Sequence, residues 1–305
     1  SLCVACTSGV ALAGNLLTLL VFYELLTLAT YPLVVHRGTR DALAAGRIYL
    51  AYTLGGGLVL LVAVAWLRSL AGPLDFVDGG LLAGRNIAPQ SLTIIFVLLI
   101  AAFGVKAALV PLHGWLPRAM VAPAPVSALL HAVAVVKAGA FGIVRIVLDV
   151  YGLELSRELA LLTPLAIAAA VTIVWGSMRA LQQDDLKKRL AFSTVSQVSY
   201  IALGIAIFGP LAALGGLVHL VHQGLMKITL FFCAGNLAET LGIHKISEMD
   251  GAGRRMPLTM AAFTIAALGM IGAPPVAGFI SKWHIALGAV AGEAHWVIAV
   301  LVAST

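Results

Sequence analysis

The 305 residues are 61% hydrophobic and only 10% charged, with a mean hydropathy of +1.04. That balance excludes a soluble globular domain, and continuous apolar runs of about 20 residues divided by short polar breaks define a polytopic helical membrane protein rather than a barrel. A net charge of +6 would suggest nucleic acid or another acidic partner for a soluble protein, but here the basic residues fall mostly in loops and report topology.

In chain order, residues 1–13 read as the end of one helix and 14–35 as the next. Helices near 46–67 and 91–110 follow, then a proline-rich turn and a helix over 125–148. Others are expected over 159–178, 188–208, 211–238, 257–288 with an interruption, and from 294 onward. This gives roughly ten crossings, complete or cut. Both ends lie inside apolar runs and neither has a signal-peptide pattern, so the chain is expected to be a segment of a longer protein.

The layout sorts the 19 Lys and Arg residues. Loops on one side would hold Arg37, Arg40, Arg47, Arg118, Arg179, Lys187, Lys188, Arg189, Lys245, Arg254 and Arg255, and those on the other Arg68, Arg85, Arg145 and Arg157. This asymmetry predicts a cytoplasmic location for the first group. The remaining cations, Lys106, Lys137, Lys227 and Lys282, fall inside or at the edge of helices, where no arginine does. A lysine at a helix centre costs about +3 kcal/mol even on the lenient insertion scale. Desolvation can bring a lysine's pKa from ~10.4 towards 5–6, whereas arginine stays charged, so these positions suit a group that binds and releases a proton.

Glu24 is the acid placed well within a helix core, and it invites pairing with a buried lysine. The plainer reading is a neutral packed carboxyl. His219, Gln223 and Lys227 recur at i, i+4 and i+8, one helix face spanning about 12 Å. His222 flanks this face. His131 and Lys137 lie about 9 Å apart along the axis on different faces, which suits successive steps of a path. Ser127, one turn before His131, reads as helix packing.

Two helices are expected to be broken, at Val110-Pro111 just after Lys106 and at Gly272–Pro275 just before Lys282. Proline frees backbone carbonyls, and paired breaks in two halves of a membrane protein point to a conduction site. The halves would be residues 1–148 and 159–305, two inverted five-helix repeats in an all-α transmembrane bundle. Asp184 and Asp185 suit helix capping, with Ser193, Ser196 and Gln197 as hydrogen-bonding groups beyond them. The Gly55-Gly56-Gly57 run suits close helix packing, and Cys3, Cys6 and Cys233 suit packing as well. Metal, nucleotide and nucleophile motifs are absent from the sequence, so no cofactor, metal site or catalytic residue is assigned.

Tyr23-Glu24, FGVKAALVPLHGWLP, LLHAVAVVKAG, DLKKRLAFSTVSQ, HLVHQGLMKITLFFCAG and GAPPVAGFISKW, in that order, resemble the antiporter-like membrane subunits. These occur in respiratory complex I, Mrp-type cation/proton antiporters and membrane-bound hydrogenases. The resemblance covers nearly the whole chain, from the end of the family's fourth helix into its thirteenth. It implies a proton path along Glu24, Lys106, Lys137, His219, Lys227 and Lys282, to which the residue reading adds His131 and His222. Gln223 stands where many relatives have histidine. Finer features, among them YPLVVHRGT and FISKW, resemble Mrp D-type subunits, and Lys282 sits where the complex I M-type subunit has an acid.

The expected function is proton translocation in a multisubunit Na+/proton antiporter of a prokaryotic-type plasma membrane. Its partners would be the other subunits, the bilayer, protons and Na+, with no catalytic chemistry of the chain's own. The alternatives are a subunit of a redox complex, complex I or a membrane-bound hydrogenase, and a structural subunit without conduction.

Overall fold

A computed structural model describes residues 2–304. Helix α1, Leu2–Ala11, leads through Asn15, whose side chain accepts the Thr18 N–H, into α2, Leu16–Val34. Thr39 caps the start of α3, Arg40–Ala71, in the same way. This helix begins earlier and ends later than hydropathy indicates, since about 48 Å of helix exceeds the hydrocarbon thickness and carries Arg40, Arg47 and Arg68 beyond the apolar core.

Helix α4, Pro89–Ala107, starts on a proline and ends with Ala108 in the left-handed conformation. A non-helical turn, with a 3-10 segment at Arg118–Val121, then leads into a composite crossing. This crossing comprises α5, Ala124–Ala128, a π-helical stretch at Leu129–Val133, α6, Val135–Arg145, and a second π-helical stretch at Ile146–Tyr151. It is therefore not the single regular helix expected over 125–148. Because it continues to Tyr151, Arg145 lies within a helical run, which corrects the expectation that arginine is confined to loops. Its guanidinium bonds Asp149 at 2.8 Å and the Ala13 carbonyl at 3.1 Å, so the charge is paired.

A short α7, Leu153–Glu158, precedes the long hairpin of α8, Leu162–Leu181, and α9, Leu186–Ala206. Asp185 caps α9 through the Lys188 N–H, as the sequence suggests. Packed between α8 and α10, Pro210–Leu241, α9 is buried along nearly its whole length from Leu190. This enclosure lets it carry Thr194, Ser196, Gln197 and Ser199 where a lipid-facing helix would be apolar. A Cβ on Gly204 would stand 2.8 Å from Gly216 Cα, so α9 and α10 approach backbone to backbone.

The chain ends with α11, Ala252–Arg255, the broken pair α12, Pro257–Ile271, and α13, Ala277–Ala291, and then α14, Trp296–Ala303. By length and composition, α2, α3, α4, α8 and α10 are each long and apolar enough to cross a membrane alone.

The two rims are distinct. Asp41, Arg118, Arg179, Asp185 and Lys188 line one cavity, and an antiparallel backbone bridge between Asp185 and Lys245 joins the start of α9 to the segment after α10 on that same rim. At the other rim Asn15 bridges Asp75, Arg85 bonds the Ala71 carbonyl, and Arg157 lies over Phe208. The chain therefore alternates rims as the loop charges require. Cys3, Cys6 and Cys233 are buried free thiols.

Candidate functional site

Lys106, Lys137, Lys227 and Lys282 all point inward, with relative exposures from 0% for Lys106 and Lys227 to 8% for Lys282. Each finds oxygen atoms on a neighbouring segment.

Lys106 occupies the last turn of α4. Its Nζ donates to the Tyr23 carbonyl, sits 3.4 Å from the Tyr23 ring centroid, and lies 3.9 Å from Glu24 Oε1. The expected Glu24–Lys106 pair is thus assembled from α2 and α4. Glu24 is less enclosed than its partner, its side chain 27% exposed, with its carboxylate between α2 and α3. Gly57 makes room for it, since a Cβ there would stand 2.6 Å from the carboxylate. Gly56 takes the packing role expected of the glycine run, facing Val105 and the Ala102 carbonyl.

The break beyond Lys106 is satisfied by protein. Trp115 Nε1 donates to the Val105 carbonyl at 2.7 Å, and the Val110 N–H donates to Thr172 Oγ1 at 3.1 Å. An irregular backbone persists inside a membrane only with such partners.

Lys137 reaches from α6 to α10, where its Nζ donates to the Leu220 carbonyl at 2.5 Å. It also lines a largely apolar cavity of about 410 Å³ between α1, α6 and α10. Along α10, His219, Gln223 and Lys227 are all fully buried, so the i, i+4, i+8 face points inward. His219 Nδ1 lies 2.8 Å from Ser281 Oγ, and its ring lies 5.3 Å from that of Tyr200. Both polar amide atoms of Gln223 are buried without a hydrogen-bond partner. Lys227 donates to the Leu190 carbonyl at 3.0 Å and to Ser193 Oγ. His222 is turned away from this face and partly exposed.

His131 is fully buried in the π-helical stretch, its ring 4.9 Å from Phe231, and neither ring nitrogen has a hydrogen-bond partner. It lies within electrostatic reach of Lys227, whereas His219 lies within reach of Lys137 and Lys282.

Lys282 answers the second break differently from Trp115. From α13 its Nζ reaches back to the carbonyls of Met270 and Ile271, each at 3.0 Å, placing a cation on the negative end of α12. Gly272, at φ +90°, turns the chain here, and a Cβ on it would meet Lys282 Cδ at 2.9 Å.

The structure thus gathers two clusters, Glu24 with Lys106 and the Lys137–His219–Lys227–Lys282 group with His131 beside it. Tyr200, Ser281 and Ser193 complete the second cluster. Sequence reasoning missed Tyr200 and Ser281, whereas it expected Ser193 as a hydrogen-bonding group, without naming Lys227 as its partner.

This combination defines a polytopic α-helical membrane protein with a buried file of ionisable side chains. The chain belongs to the NADH:quinone oxidoreductase/Mrp antiporter transmembrane family, whose model matches residues 13–305. It is 39% identical over 299 residues to the N-type subunit of the NADH-quinone oxidoreductase of Desulforudis audaxviator, covering 97% of this chain and 59% of that protein. Over 297 residues it is 32% identical to the D-type subunit of the Na(+)/H(+) antiporter of Bacillus subtilis, again covering 97% of this chain and 59% of the relative. The fold matches a chain of the Mrp complex from Dietzia sp. DQ12-45-1b with a TM-score of 0.90 at 28% identity, covering 99% of this chain and 56% of that one. The chain therefore spans somewhat over half the length of each of these three proteins.

Proposed function

We propose that this chain is the proton-conducting centre of a membrane subunit in a multisubunit monovalent cation/proton antiporter, working with partner subunits in a prokaryotic-type plasma membrane. The observation that carries the reading is the file of four buried lysines, each held by oxygen atoms rather than neutralised by a bound carboxylate at hydrogen-bond distance.

In this reading residues 1–148 and 159–305 form two half-channels, each containing a broken helix with its lysine. A proton passes along Glu24, Lys106, Lys137, His219, Lys227 and Lys282, with His131 and His222 as flanking carriers. Gln223 cannot change charge, so water bridges that position. Weakening the Glu24–Lys106 contact removes the charge that holds the Lys106 proton and favours its release onward. One charge crossing the membrane exchanges ~2.3 kcal/mol per 100 mV, which a pKa change of one or two units can match.

The second reading, a subunit of a redox-driven complex, is favoured by the higher identity to the quinone oxidoreductase relative than to the antiporter relative. Vesicles containing the complete assembled complex separate the two. Proton movement driven by a sodium or potassium gradient without an electron donor supports the antiporter. Movement that requires an electron donor supports the redox complex, and movement under neither condition returns the chain to a structural role.

A further inference from the structure

Lys187, the second residue of α9, has the sequence setting of a solvated loop cation, yet its side chain is half-buried. Its Nζ donates to the Ala122 carbonyl at 2.5 Å. The same carbonyl accepts the hydroxyl of Ser127 at 3.3 Å, and Ser127 is fully buried one turn before His131. His131 follows, with both ring nitrogens open in a fully buried setting. A polar side chain in that state is costly unless water or a proton carrier meets it. Beyond it lies Lys227, bonded to the Leu190 carbonyl and to Ser193, about one and two turns along α9 from Lys187.

At its outer end Lys187 adjoins the basic rim. Arg118, Met120, Val121, Asp185 and Lys188 line a cavity of about 640 Å³ there. Val121 immediately precedes Ala122, and Lys188 immediately follows Lys187. Lys187 and Ser127 thus meet at the Ala122 carbonyl between the charged vestibule and a buried imidazole that lacks partners, with Ser127 one helical turn from that imidazole.

We infer that Lys187 is the proton relay between the basic-rim vestibule and the His131–Lys227 end of the buried file. This rests on the proton-conducting reading above. The Lys187 ammonium gives its proton to an open His131 nitrogen through Ser127 and intervening water. His131 passes a proton to the Lys227 amine, and vestibule water restores the Lys187 proton. Outward movement reverses each transfer. The charged and titratable groups facing Lys187 are Arg37, Asp185 and His131. Arginine at this position would keep the charge and the bond to Ala122 but could not release a proton.

The test uses the full-length protein in its assembled complex, reconstituted in vesicles, with Lys187→Arg, Lys187→His and the Lys137→Ala control. Assembly is checked by co-purification of the partner subunits. Proton flux through Lys187→Arg is expected to fall about tenfold or more, a modest value for loss of a positioned proton carrier. Lys187→His is expected to recover flux with its pH optimum shifted to lower pH, a change that a purely structural contact would not produce. Wild-type flux through Lys187→Arg while Lys137→Ala is inactive would overturn the relay and leave the path intact. Wild-type flux through both would overturn the path itself, and the relay with it.

Discussion

Lys106 Nζ lies 3.9 Å from Glu24 Oε1 but gives its hydrogen bond to the carbonyl of Tyr23, the residue before Glu24. The ammonium is therefore anchored by backbone and ring while the carboxylate acts on it only through charge. A rotation of the Glu24 side chain can change that charge interaction without breaking the anchor, since the Tyr23 carbonyl and ring stay in place on α2, and that is the property a coupling element needs. Glu24→Gln keeps the shape and the Tyr23 contact but removes the charge. Proton flux in vesicles is expected to fall about tenfold or more with assembly unchanged. Undiminished flux would mean the pair is only structural.

The pair also makes a steric prediction. A methyl group on Gly57 would lie 2.6 Å from the Glu24 carboxylate, so Gly57→Ala must push it away from its seat. Overpacking of this kind costs about 1–3 kcal/mol. Gly55 has nothing within 4 Å of its Cβ position, so Gly55→Ala is the neutral control. Thermal unfolding of the purified protein and proton flux should both be impaired by the first substitution and unchanged by the second.

Trp115 tests how the break in α4 is stabilised. The Val105 carbonyl takes both the Ala108 N–H and the Trp115 indole. Trp115→Phe retains a ring beside Tyr49 but loses the second donor and some packed volume. A loss of about 1–3 kcal/mol is expected, seen as a lower thermal midpoint. An unchanged midpoint would show that the break does not depend on the indole.

On the basic rim, the carboxyls of Asp184 and Glu248 are both held down by backbone N–H groups of segment 243–248, and Asp184 is the one that ties this segment to the start of α9. The Ser247 backbone N–H and then its hydroxyl, at 3.0 and 2.9 Å, hold the Asp184 carboxyl below the usual carboxylate range. A depressed pKa contributes stability that is present above the unfolded value of about 3.9 and is lost as pH falls through the folded one. The link between the start of α9 and the segment after α10 should therefore stay constant from neutral pH down to about 4 and loosen only below it. Ser247→Ala should bring the loosening to higher pH, as measured by hydrogen exchange of segment 243–248. Identical pH profiles for the two proteins would refute the assignment.

How much was legible in the sequence depended on how regular each segment is. The His219, Gln223 and Lys227 face could be read because α10 is a continuous α-helix, and the 3.6-residue period fixes which side chains share a side. His131 could not be placed this way, because a π-helical stretch at Leu129–Val133 rotates the residues that follow relative to an ideal helix. The Glu24–Lys106 pair was legible because a charge in an apolar run demands a partner. Ser281 beside His219 and Ser193 beside Lys227 lie 62 and 34 residues away from their partners, and no local period reports such distant contacts. Lys187 was hidden for the opposite reason, since charged neighbours on a loop give a sufficient account of its presence.

The central claim is that protons pass through the buried lysine file, and Lys137 is its middle member, bonded to the Leu220 carbonyl across the boundary between α6 and α10. The most direct measurement is ion-gradient- or redox-driven proton flux in vesicles containing the full-length protein in its assembled complex, with and without Lys137→Ala. A loss of about tenfold or more, with partner subunits still co-purifying, is the predicted result. Flux at the wild-type rate through the assembled Lys137→Ala complex would contradict the account.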